Sequence, residues 1–288
     1  MLWRGTTVTA SMQPQLRIIA GLAVLLFGWL STPVLASDAS VWGGADKGKV
    51  RLIAGARDAA GHLHAGVQIV LDKGWKTYWR VPGDSGVPPS FKWDRSRNAA
   101  EIKVLWPTPG RFRDDFGWNN GYKKEVVFPV RIRPEQADKP VHLVMTLYYG
   151  VCRELCIPGK AELELTLQPE GTSANQALIQ RYLQAVPKPP EKVAGLNVAR
   201  VEAEQSGSSV FLSVDVERKP GNPVSLFVEG PSKFYFEMPV ANQTAAPDHA
   251  RFRLRVDGAK EAADLQGAGL VFTAIQGDLR LEQPWQLN

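Results

Sequence analysis

Between Val141 and Leu167 the chain carries two apolar-patterned runs joined by Gly150-Val151-Cys152-Arg153-Glu154-Leu155-Cys156-Ile157-Pro158-Gly159. Ala161-Glu162-Leu163-Glu164-Leu165-Thr166-Leu167 alternates strictly between apolar and polar, as a strand with one buried face must. Val141 to Tyr149 reads as the strand before it. A link this short makes the two strands antiparallel neighbours. Cys152 and Cys156 then flank a three-residue turn, Arg153-Glu154-Leu155. Such a turn brings its flanks within the Cα separation of under about 7 Å that a disulfide needs. These are the only two cysteines of the protein, so its β-structure and its most reactive chemistry meet at one hairpin.

The pair has three readings: a redox couple, a structural bridge, or two ligands of a metal. As a staple it is badly placed. Closing a five-residue loop contributes roughly 2 kcal/mol on the chain-entropy model, against roughly 4 for a loop of about 60 residues. A hairpin already holds these ends together, so even the smaller figure is an upper estimate. Two neighbouring thiols in a turn suit exchange, which needs access and a resolving partner. A Cu(I) site would need further soft ligands. Met145, His62 and His64 are the residues at hand, and nothing in their spacing brings them together.

The N-terminus sets the compartment. Arg4 and Arg17 precede an apolar run, Ile18 to Leu30, followed by Ser31-Thr32-Pro33-Val34-Leu35-Ala36. This is the pattern of a signal peptide cleaved after Ala36, with Met12 as an alternative start, and the run is short for a bilayer span of about 20 residues. The mature chain would run from Ser37 to Asn288 and be exported, most naturally to the periplasm of a Gram-negative bacterium. Loss of Arg4 and Arg17 takes the net charge from +5 to +3, too little to suggest a nucleic-acid partner. In an oxidising compartment two cysteines this close would pair.

The rest of the chain is β in texture. Val50–Gly55 and His64–Leu71 read as strands around an Ala59-Ala60-Gly61 turn. Trp75, Thr77 and Trp79 share one face of the next strand, with Tyr78 opposite, before a Pro/Gly-rich turn at 82–89. Phe91–Trp93, Ile102–Trp106 and Val126–Ile132 follow as strands, and Arg111–Tyr122 between them reads as a polar loop carrying four aromatics. Ser173 is expected to cap a short helix ending before Pro187-Lys188-Pro189-Pro190, a stiff linker. Beyond it, 198–203, 210–216, 223–228, 234–238, 251–256 and 270–275 read as a second β-sandwich without a catalytic constellation. No G-x-S-x-G, H-E-x-x-H, C-x-x-C, G-x-G-x-x-G or P-loop occurs.

Several of these segments together resemble a known family. Gly74-Trp75-Lys76-Thr77-Tyr78-Trp79-Arg80-Val81-Pro82-Gly83-Asp84-Ser85-Gly86, then Trp106-Pro107, Gly121-Tyr122 and Val151-Cys152-Arg153-Glu154-Leu155-Cys156-Ile157-Pro158 are similar to the N-terminal periplasmic domain of DsbD and its ScsB-like relatives, the bacterial thiol:disulfide interchange proteins. The resemblance covers about Val50 to Leu167. The Cys152–Cys156 spacing is tighter than in DsbD itself and matches the ScsB-like branch; the second β half resembles, more loosely, that branch's extra module. The family continues into a transmembrane conduit and a thioredoxin domain, whereas this sequence ends at Asn288 without either, so a stand-alone domain is expected.

The residue pattern and the resemblance together imply an all-β chain of two immunoglobulin-like β-sandwich domains, 37–170 and 192–288, joined by a helix and Pro-rich linker at 171–191, after a cleavable signal peptide at 1–36, the immunoglobulin-like fold being what the resemblance adds. It implies that Cys152 and Cys156 cycle between dithiol and disulfide. Their electrons would come from a membrane thiol reductase of the DsbD or CcdA kind or from a thioredoxin-like protein, and would pass to disulfide-bearing periplasmic clients, in cytochrome c biogenesis or metal-stress repair. Phe116 takes the role of a cap over the pair and Asp114 and Asp115 that of its acidic neighbours, with Tyr78, Tyr122 and Tyr149 as supporting aromatics. Such a protein-disulfide reductase needs no cofactor and no metal. The alternatives are a non-enzymatic binding module with a structural disulfide and a copper-binding or copper-tolerance protein.

Overall fold

The computed structural model describes residues 1–7, 37–171, 173–242 and 246–288. The expected signal peptide lies, from residue 8 on, outside the described residues, and 1–7 carry no regular structure. Among the described residues no helix is long and apolar enough to cross a membrane. From residue 37 onward the chain is almost all β and builds two hydrophobic cores.

The first half comprises β1 (Gly43–Ala45), β2 (Gly48–Arg57), β3 (Leu63–Leu71), β4 (Lys76–Gly83), β5 (Ser90–Lys92), β6 (Glu101–Val104), β7 (Gly110–Asp114), β8 (Gly117–Lys123), β9 (Glu125–Arg133), β10 (Val141–Cys152) and β11 (Cys156–Leu167). One sheet runs β1-β2-β3-β9-β6 and the other β11-β10-β4-β8-β7, with β5 on the same edge of β10 as β4. Their inner faces close on Leu52, Val67, Ile69, Trp79, Phe128, Leu143 and Tyr149. The alternation expected in 161–167 is seen residue by residue, with Ala161, Leu163, Leu165 and Leu167 buried and Glu162, Glu164 and Thr166 exposed. The segment 111–122, read as a loop, is instead the β7–β8 hairpin, turning at Asp115-Phe116. Its sequence hides this because its outward face is itself covered, so no apolar–polar alternation survives.

Helix α1 (Gln176–Gln184) packs Ile179 against Ile53 and Val127 on the outside of the first sheet. Its N-cap is Asn175 rather than Ser173; the Ser173 hydroxyl accepts from the Asn175 amide at 3.0 Å, one step before the helix. Pro189 is extended, as a stiff linker requires, but the segment is also docked: Lys188 N–H donates to Arg280 and its carbonyl accepts from Glu282.

The second half comprises β12 (Leu196–Ser206), β13 (Ser209–Arg218), β14 (Ser225–Glu229), β15 (Tyr235–Phe236), β16 (Val240–Asn242), β17 (His249–Asp257), β18 (Gly269–Gln276) and β19 (Leu279–Gln286). The sheets are β12-β13-β17-β15, with β16 also on β17, and β14-β18-β19. The last strand was not foreseen because Pro284 interrupts its pattern; on an edge strand a missing N–H is tolerated. The two halves meet along β4 and the β7–β8 hairpin. Arg80 is bound by Glu229 and Glu282, Trp79 meets Phe227 edge-on at 5.5 Å, and Arg111 donates to the Leu226 carbonyl at 2.7 Å while stacking over Phe227.

Candidate functional site: a half-covered disulfide

The β10–β11 ladder runs for twelve residue pairs and ends at Cys152 opposite Cys156. Arg153, Glu154 and Leu155 turn the chain, with Arg153 N–H donating to the Leu155 carbonyl at 3.0 Å. The two sulfurs form a disulfide, with the Cα atoms 4.1 Å apart. The two ends of this bridge differ. Cys152 is only 1% exposed, whereas Cys156 is exposed.

The burial of Cys152 has a structural cause. On β10 the core side is Leu147, Tyr149 and Val151, so Tyr148, Gly150 and Cys152 point outward. Tyr148 is exposed as an outward residue should be, but Gly150 and Cys152 are buried. On β4 the same outward face holds Lys76 and Tyr78, 5% and 1% exposed. Two segments cover this corner of the sheet. The first is the Pro/Gly-rich turn after β4, where Gly86 lies at φ 111° so close that a Cβ would fall 2.2 Å from the Tyr78 ring. Val87 accepts from the Gly150 amide at 3.3 Å. The second is the β7–β8 hairpin. Its register on β4 jumps between Tyr78–Gly121 and Gly83–Asn119, and the irregularity lets its tip bend over the face. There Asp114 accepts from the Lys76 ammonium, which lies 5.5 Å above the Phe112 ring. Asp84 ties the two covers together by accepting from the Trp118 amide at 2.7 Å.

Tyr78 reaches the bridge. Its hydroxyl is 3.8 Å from Cys156 Sγ and, since a disulfide sulfur has no proton, it is the donor. Burial pushes this phenol up to about 12, with Asp114 adding to the shift and Ser85 opposing it, so the proton stays on oxygen at neutral pH. Burial raises the Asp114 carboxyl too, but hydrogen bonds from Lys76 and the Phe116 amide outweigh it and hold the group below its ordinary range.

The expected site residues therefore divide. Tyr78 meets Cys156, and Asp114 stands over the covered face. Asp115 and Phe116 form the exposed hairpin tip, Phe116 with 58% of its surface free. The aromatic expected to bury against the pair is thus largely in solvent in this state. Tyr149 and Tyr122 serve the core instead: Tyr149 hydroxyl donates to the Gly48 carbonyl and accepts from Ala45, and Tyr122 hydroxyl donates to the Pro107 carbonyl at 2.7 Å. Lys76 was missed, although the period-two reading of Trp75 to Trp79 puts it on Tyr78's face. Of the residues weighed for copper, Met145 is buried in the core, and His62 and His64 both bind the Asp58 carboxylate. Among the described residues no group of three or more His, Cys, Asp or Glu is arranged to hold a metal.

No curated protein matches the chain. Among solved structures, the N-terminal periplasmic domain of ScsB from Proteus mirabilis matches with a TM-score of 0.69 and 25% identity, over 88% of this chain and 99% of that one. Residues 50–168, which contain the bridge and both of its covers, match the N-terminal family model of thiol:disulfide interchange protein DsbD. Residues 50–168 are thus similar in sequence to the N-terminal region of thiol:disulfide interchange protein DsbD, and most of the chain is similar in fold to the N-terminal periplasmic domain of ScsB.

Proposed function

We propose that this protein is a periplasmic electron-transfer protein that exchanges thiols for disulfides through Cys152 and Cys156. The observation that carries the reading is the asymmetry of the bridge, with one sulfur residue exposed and the other covered. A partner's thiolate attacks Sγ of Cys156, the accessible end. The Cys156–Cys152 bond breaks, its electron pair stays on Cys152 Sγ as a thiolate, and a mixed disulfide joins the partner to Cys156. Cys152 is released under its cover, where it is shielded from adventitious oxidants. A second partner thiolate then attacks the partner's sulfur in the mixed disulfide, which releases the partner oxidised and leaves Cys156 as a thiolate. Run with a disulfide-bearing client, the same steps reverse and the client is reduced. Tyr78 donates to Cys156 sulfur and so stabilises negative charge on it when it becomes the leaving group.

The electron donor on this reading is a membrane thiol reductase of the DsbD or CcdA kind or a thioredoxin-like protein, and the recipients are disulfide-bearing periplasmic proteins. Support comes from the family relation and from the absence of any need for a bridge in this position, since a twelve-pair ladder already joins the two strands.

The order of events is testable by alkylation. The reduced protein is treated with limiting iodoacetamide and the labelled cysteine is identified by peptide mass. Cys156 is expected to react first by a wide margin. Preferential labelling of Cys152, or equal labelling of both, overturns the assignment.

A further inference from the structure

Lys76 is an unusual residue to find buried. It stands directly opposite Cys152 in the β10–β4 pairing, so the two side chains leave the same face of adjacent strands. The lysine is 5% exposed, and its ammonium donates to the carboxylate of Asp114, which is itself largely covered. A buried ion pair of this kind contributes little net stability, because desolvating two charges costs about what their attraction returns. Its position beside the covered sulfur gives it a different use. When a partner takes Cys156, the electron pair of the broken bond remains on Cys152, and a thiolate forms in a place almost without water. An anion there needs a neighbouring cation.

The other charged groups near this corner are already engaged or face solvent. Lys123, opposite Lys76 on β8, is exposed above Phe112. Arg153 and Glu154 in the turn are exposed and pair with each other at 3.4 Å. Asp84 accepts from the Trp118 amide and the Tyr235 hydroxyl, and Tyr78 keeps its proton. Lys76 and Asp114 are therefore the covered pair of opposite charges on this face.

We propose that Lys76 is a positioning residue for the exchange, its ammonium favouring the Cys152 thiolate that forms when the bridge opens, with Asp114 setting how strongly. This rests on the thiol–disulfide reading above, but its test does not. The two charges must act with opposite sign. Removing the ammonium leaves Asp114 uncompensated beside the sulfur and disfavours the thiolate. Removing the carboxylate leaves the ammonium unopposed and favours it.

The experiment uses the full chain in a Cys156→Ser background, where Cys152 is the lone thiol, and follows thiolate formation by far-ultraviolet absorbance as pH is raised. Lys76→Met is expected to lower the thiolate fraction at a given pH by about tenfold, one unit in the titration midpoint. Asp114→Asn is expected to move the midpoint the other way, the double variant to lie between, and Lys76→Arg to stay near the parent. A purely structural role would move both single variants in the same direction or neither, and either result overturns the proposal. If Lys76→Met does not fold, Asp114→Asn decides alone, and a midpoint that fails to fall refutes the inference. The titration does not require exchange with any partner, so its failure is separate from failure of the alkylation order.

Discussion

Reduction of the Cys152–Cys156 bridge should leave the fold standing. The bridge closes a loop of five residues, which on the chain-entropy model contributes about 2 kcal/mol. That figure assumes that nothing else joins the ends, whereas the β10–β11 ladder pairs twelve residues up to and including the cysteines themselves. Some of the loop-closure entropy is therefore supplied by the hairpin, and the loss on reduction should be under about 2 kcal/mol. For a chain of this length one kcal/mol moves the melting temperature by about 2–4 °C, so the reduced protein should melt no more than about 8 °C below the oxidised one. The assay is a pair of thermal melts followed by circular dichroism, one with the disulfide intact and one in excess dithiothreitol, with a Cys152→Ser/Cys156→Ser variant as control. By linkage, the same 2 kcal/mol bounds how far the fold lowers the potential of the pair, at about 40 mV. A fall of more than about 15 °C, or unfolding on reduction at room temperature, would refute the reasoning. It would mean that the bridge is a structural staple.

Other consequences can be checked with single variants. Arg80→Met removes the cation held by Glu229 at 2.6 Å and also by Glu282, leaving two carboxylates of the second half together at the seam without their cation; the cost should be about 3 kcal/mol in urea unfolding, the low end for a broken buried pair since Glu282 is partly exposed, and a loss under about 1 would contradict the seam's role. Phe116→Ala should leave stability within about 0.5 kcal/mol, because the ring is largely exposed; if Phe116 shields the pair, reoxidation of the dithiol by glutathione disulfide will quicken, and an unchanged rate removes that role. Asp58 is pushed up by burial, but hydrogen bonds from His64 and His62 outweigh this and bring it to about 2, below its ordinary 3.8. A depressed carboxyl stabilises the fold above its unfolded value and loses that contribution as pH falls, so stability should decline between about pH 4 and 2. Asp58→Asn should flatten that part of the profile, and a slope unchanged by the substitution would contradict the assignment.

The hairpin at the centre of the protein was legible because its information is local. Ala161 to Leu167 alternate on a buried face, and two cysteines across a three-residue turn have few ways to sit. The cover was less legible. Arg111 to Tyr122 carry no period because the hairpin they form is sandwiched between the sheet, the Asp84 loop and the second half, leaving few residues with a free outward face. Lys76 reads as a surface residue by type, and only the bend that brings Asp114 over it makes it a buried one. The seam could not be read at all. Arg80 and Glu229 lie 149 residues apart, and each alone is an ordinary charged residue. Charges that pair across such distances leave no pattern in the chain. Tyr122 and Tyr149, assigned to the site by resemblance, are instead bonded to the backbone carbonyls of Pro107, in the segment after β6, and of Gly48, at the start of β2, a distinction that depends on where their hydroxyls point.

The central claim is that the bridge opens in use. Equilibrating the folded protein with glutathione or dithiothreitol redox buffers and quantifying the dithiol by trapping gives its reduction potential directly. The account predicts a value above about −300 mV, in the range of pairs that exchange with partners. A value well below about −300 mV, where inert structural bridges lie, would contradict it.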